Sequence, residues 1–328
     1  MDKVLAMPTY GGIDLGGTKI QTIVMRGDDR SVLGQGRMLT PHEGGPPAVI
    51  DALVACMSEA AASADIDVAQ LDGIGVGVPG EVDAASGSLA SAPNLPEWEH
   101  PVALAALLGE RLGPQVKLGN DVSVAVQAEL MLGAGRGARS LLAVFWGTGV
   151  GGGVAFEGEL WHGRGDAGEI GHMVVKQGGA RCGCGRRGCM EAYAGRRSME
   201  AKAKRLVEEG HHTDLFEIMR ERGRQTLSSG VWEHALHHHD KLAERLIERA
   251  VQALGSGVAS AVNLLDVELV LLGGGLGSRF GEPMLERILG AMKPHLLKDD
   301  HPPALRLASL GDLGGAIGAA LLCEAKSR

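Results

Sequence analysis

Gly11-Gly12-Ile13-Asp14-Leu15-Gly16-Gly17-Thr18-Lys19 is the stretch on which the fold is decided. With its flanks, residues 10–25 read as two short strands joined by a glycine turn. The spacing is not that of a Walker A loop. It still gathers what nucleotide phosphates need: bare backbone N–H groups, the Thr18 hydroxyl, the Lys19 cation and a carboxylate, Asp14, for Mg²⁺ or its waters. An ordinary glycine hairpin would look the same, so the stretch gains weight only by repetition. Residues 141–156 supply it, with two strands around Gly147-Thr148-Gly149-Val150-Gly151-Gly152-Gly153.

Each strand–turn–strand is followed by alternating helices and strands. Helical spacing covers 46–62, 101–111 and 122–132, with buried-type strands at 73–78 and 115–118. In the second half, helices are expected across 196–239, at 241–265, at 279–292 and at 312–325, with strands at 268–272 and 305–308. The strand at 268–272 ends in Gly273-Gly274-Gly275, a third glycine element, where a purine or ribose could lie against bare backbone. The fold class is therefore α/β, built twice on one plan. GxGxxG matches at 75–80, 163–168 and 183–188 as well as in the second turn, so that pattern carries no information here.

At 328 residues the chain is long enough for two cores, and 45% apolar residues argue against disorder. A net charge of −8 argues against nucleic acid as a partner, and no apolar run is long enough to span a membrane. Residues 1–9 lack the apolar core of an export signal, which points to the cytoplasm. The 51 glycines are about twice ordinary usage, and their clusters at the ends of apolar runs suggest loops approaching a ligand.

Gly168-Glu169-Ile170-Gly171-His172 precedes Cys182-Gly183-Cys184-Gly185-Arg186-Arg187-Gly188-Cys189-Met190-Glu191. His172, Cys182, Cys184 and Cys189 can close a tetrahedral zinc cage. Disulfides or free thiols are the alternative, although three clustered cysteines cannot pair fully among themselves, and Cys56 and Cys323 lie in helical segments far off. Asn120-Asp121 stands at a strand-to-helix junction, where Asp121 is either a helix cap or a general base. Asn94-Leu95-Pro96-Glu97-Trp98 is a surface turn or brings an amide to a polar ligand. The histidines at 234 and 237–239 read as a solvated helix face or end rather than a metal site, and Arg136 and Arg139 as surface charge.

Taken together, Asp14-Leu15-Gly16-Gly17-Thr18-Lys19, Asn120-Asp121, the glycine turn at 147–153, Glu169-Ile170-Gly171-His172 and Cys182-x-Cys184-Gly-x-x-Gly-Cys189 resemble the ROK family of repressors, open reading frames and sugar kinases. The likeness runs from Asp14 to the segment containing Gly314-Gly315-Ala316, and 144–172 fits the family pattern without gaps. Met190 and Trp146 stand where leucine and a smaller residue are usual.

The resemblance implies a two-lobed, actin-like (ribonuclease-H-like) sugar kinase fold with a zinc-binding insertion. The lobes would be 1–119, joined by a helix at 312–328, and 120–311, holding the zinc motif at 172–189 and the adenosine region. It implies that Asp14, Gly16, Gly17, Thr18, Lys19, Thr148 and Gly149 serve the phosphates and Mg²⁺, and that Gly273, Gly274 and Gly275 border adenosine. Asp121 would be the base. Asn94, Asn120, Asp121, Glu169, His172 and Glu191 would hold hexose hydroxyls, His172 binding structural Zn²⁺ through its other nitrogen. Too few residues precede Asp14 for the DNA-binding domain of the repressors.

The expectation is an ATP-dependent hexokinase of glucokinase type, with N-acetylmannosamine or N-acetylglucosamine as the alternative acceptor. A dimer or tetramer is implied by the resemblance. A sugar sensor without turnover is the competing class. A zinc hydrolase is disfavoured because four protein ligands leave no open position.

Overall fold

The computed structural model describes residues 7–92 and 95–324. The chain divides into two units, 1–133 with 310–328, and 134–309. In the first, β1 (Thr9–Leu15) and β2 (Lys19–Arg26) form the hairpin around the first glycine turn, and β3 (Val32–Leu39) extends it. There follow α1 (Gly45–Ser63), β4 (Gly73–Val78), a small hairpin of β5 (Glu81–Asp83) and β6 (Ser88–Ser91), α2 (Leu104–Leu112), β7 (Val116–Asn120) and α3 (Asp121–Leu132). The second unit opens with β8 (Ser140–Trp146), β9 (Val150–Phe156) and β10 (Glu159–Trp161). Its helices are α4 (Glu191–Ala194), α5 (Arg196–Glu208), α6 (Leu215–Glu221), α7 (Ser229–His237) and α8 (Lys241–Leu265), then β11 (Leu269–Gly273), α9 (Gly274–Phe280), α10 (Glu282–Met292) and β12 (Ala304–Leu307). Finally α11 (Gly314–Glu324) returns to the first unit.

The two main sheets share one topology. Their strand orders are β3-β2-β1-β4-β7 and β10-β9-β8-β11-β12. In each, an antiparallel meander leads into two parallel neighbours. The first parallel neighbours, β4 and β11, are buried at every position, as continuous apolar runs in a sheet covered on both faces must be. The repeat expected from the two glycine turns is thus a repeat of topology.

In the first unit, side-chain alternation sorts the core into two layers. Ile20 and Val24 pack with Val49, Leu53 and Cys56 of α1, whereas Ile23 and Met25 pack with Ala316, Ala320 and Leu321 of α11. The second unit has one large core, built on β8, β11 and the amphipathic α8, and holding the fully buried Trp146 and Trp232. Asp240 caps α8, accepting the Ala243 N–H at 2.8 Å.

Three expectations change. The change of lobe was read at residue 120, but α3 packs on α11 and β4 and so belongs to the first unit. The helix at 279–292 is two, because Gly281 takes φ 66° and Pro283 opens the next helix. The glycine excess serves packing as well as loops. A Cβ on Gly12 or Gly75 would strike the carbonyl of Ala316 or Ala319, and one on Gly318 would strike that of Val124. β3 escaped notice because Gly34 and Gly36 interrupt its alternation. Both lie against α1, where a Cβ would meet the carbonyls of Ala60 and Cys56.

Gly318→Ala forces the α11 backbone off α3. The expected loss is about 1–3 kcal/mol of unfolding free energy, measured by urea denaturation; an unchanged midpoint would disprove the close packing.

Candidate active site

In the first unit, Asp14, Gly77 and Gly119 stand in register across β1, β4 and β7, at the carboxyl ends of parallel strands. Ligands of open α/β sheets bind at such ends. Burial pushes the Asp14 carboxyl up to about 6, against the pull of Lys19 and with a further push from Asp312. Gly315 leaves the room this carboxylate fills, since a Cβ there would lie 2.6 Å from it. The Lys19 ammonium sits between Gln21 Oε1, at 2.6 Å, and Asp312 Oδ2, at 2.9 Å. The turn has a definite polarity. Gly16 N–H donates to Lys19 O, while the Gly16 and Thr18 carbonyls accept from the Thr40 hydroxyl and Thr40 N–H. The N–H groups of Gly17 and Thr18 meet no acceptor among the described residues.

Asn120, not Asp121, is the cap of α3: its Oδ1 accepts from Val122 N–H and Ser123 N–H, each at 3.1 Å. Asp121 Oδ1 also accepts from Val122 N–H, at 2.9 Å. The carboxylate therefore stands at the helix N-terminus without being the group that starts the helix. Asn94 lies outside the described residues. The turn beyond it is anchored by buried Trp98, whose indole N–H donates to Leu89 O at 3.2 Å.

In the second unit the turn at 147–149 has the same polarity as the first. Gly147 N–H donates to Gly149 O, and the Gly147 and Thr148 carbonyls accept from the Arg196 and Arg197 N–H groups that open α5. The N–H groups of Thr148 and Gly149 meet no acceptor among the described residues. The Arg196 guanidinium donates to Thr148 Oγ1 at 3.0 Å. Gly273, Gly274 and Gly275 close in on this turn: Gly274, at φ 81°, leaves no room for a side chain beside the Trp146 backbone. Trp146 itself donates its indole N–H to Ala194 O at 2.7 Å and packs edge-on against Phe280.

His172, Cys182, Cys184 and Cys189 bring one donor atom each to within 4.8 Å of all the others, and no second such cluster occurs among the described residues. Cys184 Sγ lies 3.8 Å from Cys189 Sγ, and Cys182 Sγ 3.8 Å from His172 Nδ1. A zinc tetrahedron with Zn–S bonds of about 2.3 Å has edges of about 3.8 Å, so the donor set fits zinc. None of the five cysteines is bridged in the structure. Burial pushes the Cys182 thiol up to about 12, whereas the Arg186 N–H draws Cys184 down to about 6. His172 turns Nδ1 to the sulfurs and Nε2 toward the exposed Glu169 carboxylate, 3.8 Å away. Glu191 accepts Val150 N–H at 2.9 Å on Oε2 and the Cys182 thiol at 3.7 Å on Oε1. It thus joins the cage to the second turn.

The histidine run forms no such cluster. The rings of His234 and His238 lie 4.4 Å apart and tilted by 55°, and burial followed by Arg222 holds His234 below the usual imidazole range. Arg139 pairs with Glu157 on the surface. Arg196 was missed by the sequence reading. Its one signal is a cation in the first turn of a helix, where the dipole disfavours it.

The model of the ROK family matches residues 10–326. The chain belongs to the ROK family. It is 32% identical to the glucokinase of Thermotoga maritima over 291 residues, covering 86% of this chain and 88% of that one. It is 31% identical to an N-acetylgalactosamine kinase of Shewanella over 323 residues, covering 95% and 96%. A ROK glucokinase from Streptomyces griseus, solved with glucose and AMPPNP, superposes with a TM-score of 0.80 at 29% identity, covering 96% of this chain and 98% of that one. The fold of this ROK chain is thus the actin-like sugar-kinase fold, mixed α/β with a candidate zinc cluster. No described helix is long and apolar enough to cross a membrane.

Two outcomes follow from the geometry. An unfolded aspartate titrates near 3.8, whereas folded Asp14 holds its proton to about 6. The folded form is therefore favoured by protonation, fully below pH 3.8, and that advantage is lost as pH rises through 6. Asp14→Asn should raise the melting temperature at pH 7.5, by at most about 3 kcal/mol of stability, and the gain should vanish below pH 4. Equal gains at both pH values would remove buried charge as the cause. Cys184→Ser should lower bound zinc, read by atomic emission, from about one equivalent to a small fraction.

Proposed function

We propose that this chain transfers the terminal phosphoryl group of Mg·ATP to the 6-hydroxyl of a hexose, glucose in the first place. The observation that carries the reading is the common polarity of the two glycine turns. In each, the carbonyls are held by the protein while two adjacent N–H groups are left to an outside acceptor, which suits phosphate oxygens. The order of turns matches a family that contains glucokinases.

The roles follow from the residues. Asp14 would hold Mg²⁺ or its waters, with Thr18 and the Gly17 N–H group on one phosphate and Thr148 and Gly149 on another. Gly273, Gly274 and Gly275 would border the adenosine. When bound, Mg²⁺ supplies neutralisation of the phosphate charge. Asp121 takes the proton of the hexose O6 as that oxygen bonds to the terminal phosphorus and the bond to the bridging oxygen of ADP breaks. Asn120 spends its carbonyl oxygen on the helix cap and keeps its amide N–H groups for a sugar hydroxyl. Glu169 and His172 Nε2 would hold two further hydroxyls. Zn²⁺ on Nδ1 would fix the ring that presents them. Glu191 keeps acceptor capacity beside its two internal bonds.

An N-acetylated hexosamine is the second reading, favoured by the N-acetylgalactosamine kinase among the relatives. ADP release measured in parallel on glucose, N-acetylglucosamine, N-acetylmannosamine and N-acetylgalactosamine separates the two. Turnover on the acetamido sugars alone would reject glucose, and silence on all four with saturable sugar binding would make this a sensor. Asp121→Asn keeps the helix, because Asn120 caps it. Its kcat should fall by about 10²–10⁴, with hexose affinity by calorimetry within a few-fold of the parent, and a near-parental rate would disqualify Asp121 as the base.

A further inference from the structure

Arg196 opens α5 half-buried beneath the second glycine turn. Its guanidinium donates to Thr148 Oγ1 at 3.0 Å through Nη2 and to the Leu227 carbonyl at 3.1 Å through Nη1. Leu227 N–H in turn donates to Glu200 Oε2 at 2.9 Å, and the buried Glu200 is paired through Oε1 with Lys204 at 2.8 Å. The cation is therefore fixed from behind by the carbonyl of a residue whose own N–H is tied to a carboxylate. Burial works against its charge and Glu200 works for it.

A guanidinium has donors and no acceptor. Facing it, the Thr148 hydroxyl can only accept, which leaves its one proton unspent. That proton meets no acceptor among the described residues. The hydroxyl, together with the Thr148 and Gly149 N–H groups, then makes three donors and offers nothing that accepts. A sugar hydroxyl, which both donates and accepts, gains little from such a site, whereas a phosphate oxygen fits it. A charge-assisted bond from Arg196 also polarises the hydroxyl and strengthens its outward donation.

We infer that Arg196 is a positioning residue for the nucleotide: it holds Thr148 as an obligate donor to a phosphate of ATP and does not touch the sugar. This rests on the reading of the 147–149 turn as a phosphate contact.

The test is a double-mutant cycle of Arg196→Met and Thr148→Val, with Thr148→Ser and Arg196→Lys as controls. KM for Mg·ATP and for the best hexose of the panel are measured, and Mg·AMPPNP binding is followed by calorimetry without sugar. Arg196→Met is expected to weaken nucleotide binding about tenfold, with hexose KM unchanged within twofold. Thr148→Val should weaken it at least as much, the double variant should be no worse than Thr148→Val, and Thr148→Ser, which keeps the hydroxyl, should weaken it less than Thr148→Val. Arg196→Lys should recover part of the loss. Should Arg196→Met fail to fold, by melting temperature, the cycle runs on Arg196→Lys. Effects that multiply in the double variant, or a loss shared equally by hexose, overturn the inference while leaving the phosphate reading standing. No effect of Thr148→Val on nucleotide binding overturns both.

Discussion

The first unit depends on backbone meeting backbone where α11 crosses β1 and β4. Gly12 and Gly75 on the sheet let the α11 carbonyls lie where side chains would otherwise stand, and Gly318 does the same toward α3. Dense contact of this kind leaves little space for solvent. It is the setting in which Asp14, facing Gly315, is stripped of water and held toward its protonated form. A carboxylate so placed is poised to exchange its desolvation penalty for a cation. The packing that stabilises the sheet and the desolvation of Asp14 are one arrangement.

Topological duplication explains where the remaining groups sit. The carboxyl ends of β1, β4 and β7 present Asp14 and the Asn120–Asp121 junction, and the carboxyl ends of β8 and β11 present Gly147 and Gly273. Each glycine turn is finished by partners outside itself: Thr40 in the first unit, the opening of α5 and Glu191 in the second. Those partners, more than the glycines, decide which backbone groups remain for a ligand. The zinc-type cluster adds a third support, since Cys182 and Val150 converge on the same carboxylate.

Much of this was legible in the sequence where a local rule applies. The two hairpins, the all-buried β4 and the long α8 followed from periodicity, and the cysteine–histidine spacing gave a cluster whose donor atoms do converge. What stayed hidden was set by contact between distant segments. β3 was obscured by glycines whose purpose lies in α1, and the placement of α3 depends on α11, nearly two hundred residues away. The rank of Asn120 over Asp121 as cap turns on side-chain rotation, which spacing does not encode. Arg196 illustrates the limit best, since nothing in Gly195-Arg196-Arg197 says which arginine turns inward.

The return of α11 also bears on how the chain is made. Residues 134–309 are contiguous and can complete their core as soon as they leave the ribosome. The first sheet, although synthesised earlier, lacks one of its covering layers until residue 324 is available. Until then Ile23 and Met25 have no partner from α11, and an apolar sheet face waits through most of synthesis. The order of completion is thus the reverse of the order of translation.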